Sequence, residues 1–148
     1  MKIHIIGGPG SGKSYSAGIL SEKYSLPLLD LDTIFWENRS SHFGVRANPL
    51  ERNKALDVFL VQNAWIVEGV YHAWLSSSFR KADLIIALTT SVWLRDIRVS
   101  RRFLMRKLGL ALSKKKGTFK GLVNLLKWSH GYNRQNLEPA RSFIKDWG

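Results

Sequence analysis

Four short apolar runs, at residues 2–6, 26–29, 65–67 and 84–88, are separated by stretches of helical composition. The runs at 26–29, 65–67 and 84–88 are apolar at consecutive rather than alternate positions, the pattern of strands buried on both faces, and the run at 2–6, which holds Lys2 and His4, is β-branched. Such strands alternating with helices predict an α/β chain with a parallel sheet between helical layers. Residues 13 to about 24 read as the first helix despite Gly18. A second starts at Asn48-Pro49-Leu50-Glu51, with Asn48 as N-cap, Pro49 in the first turn and Glu51 three positions on; Leu50, Val58, Phe59 and Val61 give it an apolar stripe to about Asn63. Beyond the fourth run, Arg95, Arg98, Arg102 and Arg106 fall at helical spacing on one face, and Val92, Trp93, Ile97, Leu104 and Leu108 are expected to face the core. After Trp128 no fifth β-rich run follows.

The glycines interrupt this pattern at one place. Gly7-Gly8-Pro9-Gly10-Ser11-Gly12-Lys13-Ser14 fits G-x-x-x-x-G-K-[ST] and lies between a predicted strand and a predicted helix. Glycines let successive backbone N–H groups turn inward around a phosphate, and the helix that follows adds the partial positive charge of its N-terminus. The loop is shaped for a polyphosphate, with Tyr15 at its exit. Lys13 would reach the β and γ phosphates of ATP and the Ser14 hydroxyl would ligate Mg²⁺. This is a three-layer P-loop NTPase fold with four strands evident.

A phosphate loop needs an acidic partner for the metal near the end of a neighbouring strand. Glu68 ends the run at 65–67 and is followed by Gly69, whereas Asp83 precedes its run, so Glu68 is the expected metal-orienting group, acting through a water. Asp30 and Asp32 follow the second run. If the backbone there is extended they point to one side, toward the carboxyl end of the sheet where ligands of open α/β folds bind. They serve either an acceptor hydroxyl or a metal-bound water, or they cap a turn; Phe35 and Trp36 either stack on a planar acceptor or pack in the core.

Charge refines the picture. The chain of 148 residues has a net charge of +12 and an apolar fraction of 45%, enough for one compact domain spanning 1–148. Residues 1–90 hold nine basic and eight acidic residues, and residues 91–148 hold fourteen basic and three acidic, so the excess lies in the last two fifths. A basic, helical, lid-like insertion is expected at about 107–131. The arginine row is either a clamp for an anion or a solvated face, and Lys114-Lys115-Lys116 reads as a solvated loop. The absence of cysteine excludes disulfides and thiolate metal sites, and no window reaches a membrane span; the expectation is a cytoplasmic protein with no membrane partner.

The segments GGPGSGKS, LDLDTIFW, WIVEGVYHAWL, ADLIIAL and RDIRVSRR, in that order, resemble the adenylate-kinase-like P-loop kinases, and within them the small bacterial group of DNA topology modulation proteins. The resemblance covers roughly residues 1–108, and more loosely WSHGYNRQN. It implies a parallel sheet flanked by helices, binding of ATP with Mg²⁺, and transfer of the γ-phosphoryl group to a nucleoside, nucleotide or similar hydroxyl acceptor. Arg98 and Arg102 take the positions of the family's phosphoryl-clamping arginines, and Lys13 and Asp32 join them as the expected catalytic set. Thr89 and Thr90 stand where the family has an aspartate, and Glu68-Gly69-Val70-Tyr71-His72 stands where adenylate kinases have Asp-Gly-Phe-Pro-Arg, which argues against adenylate kinase activity itself. The alternatives are an ATP-binding regulator associated with nucleic acid, supported by aromatics interleaved in the basic segment, or a catalytically inactive remnant.

Overall fold

The structure is a computed structural model and describes residues 1–37, 45–110 and 118–145. The chain runs β1 (Lys2–Gly7), α1 (Lys13–Tyr24), β2 (Leu28–Asp30), α2 (Asp32–Phe35), α3 (Pro49–Phe59), β3 (Trp65–Gly69), α4 (Ser76–Lys81), β4 (Leu84–Leu88), α5 (Val92–Lys107) and α6 (Phe119–Tyr132). A five-residue π turn (Asn133–Leu137) then leads into α7 (Glu138–Lys145). Among the described residues the four strands form one parallel sheet in the order β2-β3-β1-β4. The four apolar runs are thus the four strands, with β2 beginning two residues later than its run.

Consecutive apolar residues in β1 and β3 serve two separate cores. Ile3, Ile5 and Ile66 pack with Ala17 of α1 on one face. Ile6, Trp65 and Val67 pack on the other with Leu56 and Leu60, Phe79 of α4, and Tyr132, Leu137 and Ala140 of the C-terminal helical segment. Burial on both faces is why these strands are not alternating. His4 joins the second face: its ring lies 4.3 Å from that of Phe79, and its Nδ1 is 2.7 Å from Ser78 Oγ.

Two helices turn a different face inward from the one their sequence suggests. In α3 the Asn48 side chain caps the helix by accepting from the Leu50 N–H at 2.9 Å, as expected, but Leu50, Val58 and Val61 are exposed; Leu56 and Leu60 are buried, and the helix ends at Phe59 rather than near Asn63. In α5 the expected core residues Trp93, Ile97, Leu104 and Leu108 are exposed, whereas Arg95 and Val99 are fully or nearly fully buried. The inner face of α5 is the one on which the glycine loop packs: a Cβ on Gly10 would lie 2.8 Å from the Arg95 carbonyl oxygen and 3.1 Å from Val99 Cγ2, so the close contact with the loop, not the apolar stripe, marks the buried side.

Candidate functional site

The site grows from the end of β1. The chain leaves the strand at Gly7, closes a turn in which the Ser11 N–H donates to the Gly8 carbonyl at 3.1 Å, and enters α1 through Gly10 (φ 74°) and Gly12 (φ 97°). Both angles lie in the left-handed region that glycine adopts at no steric cost. Gly12 caps α1 without a side chain, so the first N–H groups of that helix have no side-chain acceptor; α3, α5 and α6 are instead capped by Asn48, Ser91 and Thr118. An uncapped helix start behind a glycine loop is an anion site in both geometry and dipole.

The residues that follow meet the end of β3. The Ser14 hydroxyl donates to Glu68 Oε1 at 2.7 Å, and Lys13 Nζ lies 3.8 Å from Glu68 Oε2. Glu68 is 2% exposed, and its Oε2 accepts no hydrogen bond among the described residues. Burial raises its pKa above the ordinary carboxylate value, with Lys13 and the Ser14 hydroxyl pulling it back down. The sheet register places Asp30 beside Glu68 on the neighbouring strand. Desolvation raises the Asp30 pKa as well. A lysine, a hydroxyl and two partly desolvated carboxylates therefore converge at the mouth of the loop. No three His, Asp or Glu among the described residues are grouped closely enough to hold a metal alone. A Mg²⁺ there would draw most of its oxygens from phosphate and water, the usual arrangement for this ion. Ser14 and the Glu68 oxygen that accepts no hydrogen bond fit such an ion.

Asp32 is placed differently from expectation. The backbone turns after Asp30, whose Oδ1 accepts from the Asp32 N–H at 2.9 Å, and Asp32 opens the short helix α2, so Asp30 is a turn-forming acid and the two do not share an extended strand. Asp32 Oδ1 accepts from the Tyr71 hydroxyl at 2.7 Å. Behind it Phe35 stacks on Tyr71 at 4.2 Å, Trp36 meets the Phe35 edge at 4.9 Å, and Arg52 lies 4.1 Å over the Trp74 ring. Phe35 and Trp36 thus join an aromatic cluster beside Asp32. Tyr71, Trp74 and Arg52 carry no local sequence signal; the loop after β3 brings the first two to α2, and α3 supplies the third.

The arginines of α5 separate. Arg98 donates from Nη1 to the Gly10 carbonyl at 3.2 Å, directly at the loop. Arg102, itself exposed, has its pKa lowered from the ordinary arginine value by partial desolvation and by Arg106, while the Asp32 carboxylate acts in the opposite sense. Arg106 is exposed. Arg95 turns away from all three into the interior. Thr90 donates its hydroxyl to the Ser11 carbonyl at 3.0 Å and so braces the loop. Tyr15 is 76% exposed at the loop exit. Residues 111–117, which include Lys114–Lys116, lie outside the described residues. No described helix is long and apolar enough to cross a membrane.

No family model matches the sequence, and no curated protein sequence matches it significantly. Solved structures do. A gluconokinase from Sinorhizobium meliloti 1021 superposes with a TM-score of 0.50 at 15% identity over 95% of this chain and 96% of its own. A shikimate kinase from Acinetobacter baumannii, solved in complex with shikimate, superposes with a TM-score of 0.52 at 18% identity over 98% of this chain and 89% of its own. At these identities the likeness is one of fold: this chain shares with the two kinases a parallel sheet flanked by helices.

Proposed function

We propose that the chain binds ATP with Mg²⁺ and transfers the γ-phosphoryl group to a hydroxyl of a small-molecule acceptor. The observation that carries this reading is the convergence of Lys13, Ser14 and Glu68 at an uncapped glycine loop, with Asp32 and its aromatic cluster beside it. The backbone N–H groups left free in the loop and the first turn of α1, together with Lys13, would cradle the phosphates, and Arg98 and Arg102 would face the charge that develops on the transferring group. Magnesium, when bound, neutralises the β and γ phosphate oxygens; Ser14 and, through a water, Glu68 are the residues that would hold it. Asp32 would orient the acceptor: Tyr71 occupies its Oδ1, leaving the other oxygen for the incoming hydroxyl. As the acceptor oxygen bonds to the γ phosphorus, the bond to the bridging oxygen of ADP breaks and the hydroxyl proton passes to Asp32.

The acceptor class is a nucleoside, a nucleotide or a similar hydroxylated metabolite. Gluconate and shikimate belong in the test panel because the two structural neighbours are a gluconokinase and a shikimate kinase. ATP consumption with Mg²⁺ against that panel, with Lys13→Ala as control, tests the proposal: stimulation by one acceptor class that vanishes in the variant supports it.

A second reading, an ATP-binding regulator on nucleic acid of the kind the DNA topology modulation resemblance implies, is favoured by one observation. Helix α5 carries Trp93, 76% exposed, near its start, and further along it exposed arginines and Lys107, which lies over the Phe103 ring. Aromatic platforms in basic surroundings suit single strands. Affinity for an oligonucleotide that falls steeply with salt, without acceptor-stimulated turnover, would favour this reading over the kinase.

A further inference from the structure

Arg95 is the one buried arginine of the α5 row. It is 0% exposed. Its Nη2 donates to the Ser129 carbonyl at 2.8 Å and its Nη1 to Asn133 Oδ1 at 3.1 Å, while its Nε has no partner among the described residues. The Tyr132 ring lies 5.9 Å away, and the Tyr132 hydroxyl and Ser129 Oγ are buried without hydrogen bonds. Every acceptor that touches the guanidinium is neutral. The neighbouring Asp96 carboxylate, which acts on it through space, is held 2.6 Å from His130 Nε2. Burial lowers the Arg95 pKa, but a guanidinium remains charged at neutral pH.

A buried, fully charged group without a bonded counter-ion is expensive unless something nearby rewards it. What lies nearby is the phosphate loop. A Cβ on Gly8 would sit 2.1 Å from Arg95 Nη1, and one on Gly10 would sit 2.8 Å from the Arg95 carbonyl. The guanidinium thus presses on the loop from its protein side, where no ligand can touch it.

We propose that Arg95 is a positioning residue for the polyphosphate: held by Ser129 and Asn133 at the start of the π turn, it fixes the Gly8 backbone and supplies the loop with positive charge from behind. The π turn has a part in this. The Glu138 N–H donates to the Asn133 carbonyl five residues back, and that wider turn belongs to the residue whose side chain meets Arg95. Such turns recur where a helix must offer a particular side chain. Polyphosphate affinity is thereby tied to the C-terminal helical segment, which shares no residue with the loop.

The inference rests on the loop being an ATP site, and calorimetric titration of the whole chain with MgATP, MgADP and AMP tests the two separately. Binding of MgATP by the wild type establishes the site; no binding removes both. Asn133→Asp keeps an acceptor for Nη1 but offsets the charge of the guanidinium, and it should weaken MgATP and MgADP at least about tenfold and AMP least, because the charge lies behind the loop that takes the β phosphate, which AMP lacks. Arg95→Lys retains the charge and should keep the ATP-over-AMP preference even where its fold is looser, whereas Arg95→Met should lose it. Melting curves accompany each titration. A folded Asn133→Asp protein with the wild-type preference would overturn the proposal, as would an Arg95→Lys protein that loses the preference as fully as Arg95→Met.

Discussion

The Ser14 hydroxyl donates to Glu68 Oε1 at 2.7 Å, joining the first turn of α1 to the last residues of β3. Neither residue is adjacent to the other in sequence. The parallel register of β1 and β3, which pairs Ile5 with Glu68, carries the glutamate to the strand end from which the loop departs. Replacing Glu68 by Gln keeps an acceptor and removes the charge. Glu68→Gln is expected to retain nucleotide binding within about tenfold and to lose turnover by roughly a hundredfold or more, the usual scale for an electrostatic group at a reacting centre. Because burial makes this carboxyl bind its proton more tightly in the folded than in the unfolded chain, its ionisation at neutral pH opposes folding. The ligand-free variant should therefore melt no lower than the wild type, as read by differential scanning calorimetry at pH 7.

Lys13 approaches Glu68 at 3.8 Å and is the charged group at the loop mouth. Lys13→Ala should weaken MgATP by roughly ten- to a hundredfold, the range for hydrogen bonds to charged groups. Titration with a fluorescent ATP analogue reads this directly, and unchanged affinity would exclude the loop as the phosphate site.

Tyr71 holds Asp32 at 2.7 Å, and burial together with that acceptor raises the phenol pKa beyond its normal range, so the hydroxyl stays a donor at all working pH. Tyr71→Phe should leave ATP affinity unchanged and reduce kcat/KM for the acceptor by roughly tenfold or more. Steady-state kinetics with either substrate varied separates the two effects.

His4 is buried in β1 and its pKa falls to about 3 from the ordinary 6.5 through desolvation. Between those values the unfolded chain binds more protons than the folded one, so stability rises with pH in this window and is lost as pH falls from 6.5 toward 3. The loss amounts to roughly a few kcal/mol over the window. Glu68 and Asp30, whose pKa values are raised, act in the opposite sense, so the comparison is with His4→Gln. Urea unfolding at pH 7 and pH 5 should show a larger drop for the wild type than for the variant.

The orientation of α5 gives a sharp contrast between two neighbours. Val99 is 3% exposed against the loop, and Ile97 is 64% exposed. Val99→Asp should destabilise the chain by about 3 kcal/mol or more through an unpaired buried charge, while Ile97→Lys should stay within about 0.5 kcal/mol of the wild type. Equal losses at the two positions would mean that the face is turned the other way.

The same helix marks the limit of what the sequence could tell. The phosphate loop was legible because its chemistry is local: glycines, a lysine and a hydroxyl at fixed spacing between a strand and a helix. The strands were legible as short apolar or β-branched runs, β3 being buried along its whole length, and Glu68 because it follows one of them. The buried faces of α3 and α5 were not, since apolar spacing marks a stripe without saying what it packs against. In α5 the loop backbone admits Arg95 and Val99 and leaves Trp93 and Ile97 outside. Tyr71, Trp74 and Arg52 were hidden for a different reason. Their meeting with Phe35 depends on how the β3 to α4 loop and α3 fold back over α2, a contact between segments distant in sequence. Thr90 has a supporting role at the loop through a hydroxyl that no spacing rule would single out.

The central claim is phosphoryl transfer at this loop, and mass spectrometry of the acceptor panel after incubation with MgATP tests it most directly. The account predicts that one acceptor class gains a single phosphoryl group with the wild type and gains none with Lys13→Ala. MgATP bound with no acceptor modified, or the same product formed by Lys13→Ala, would contradict it.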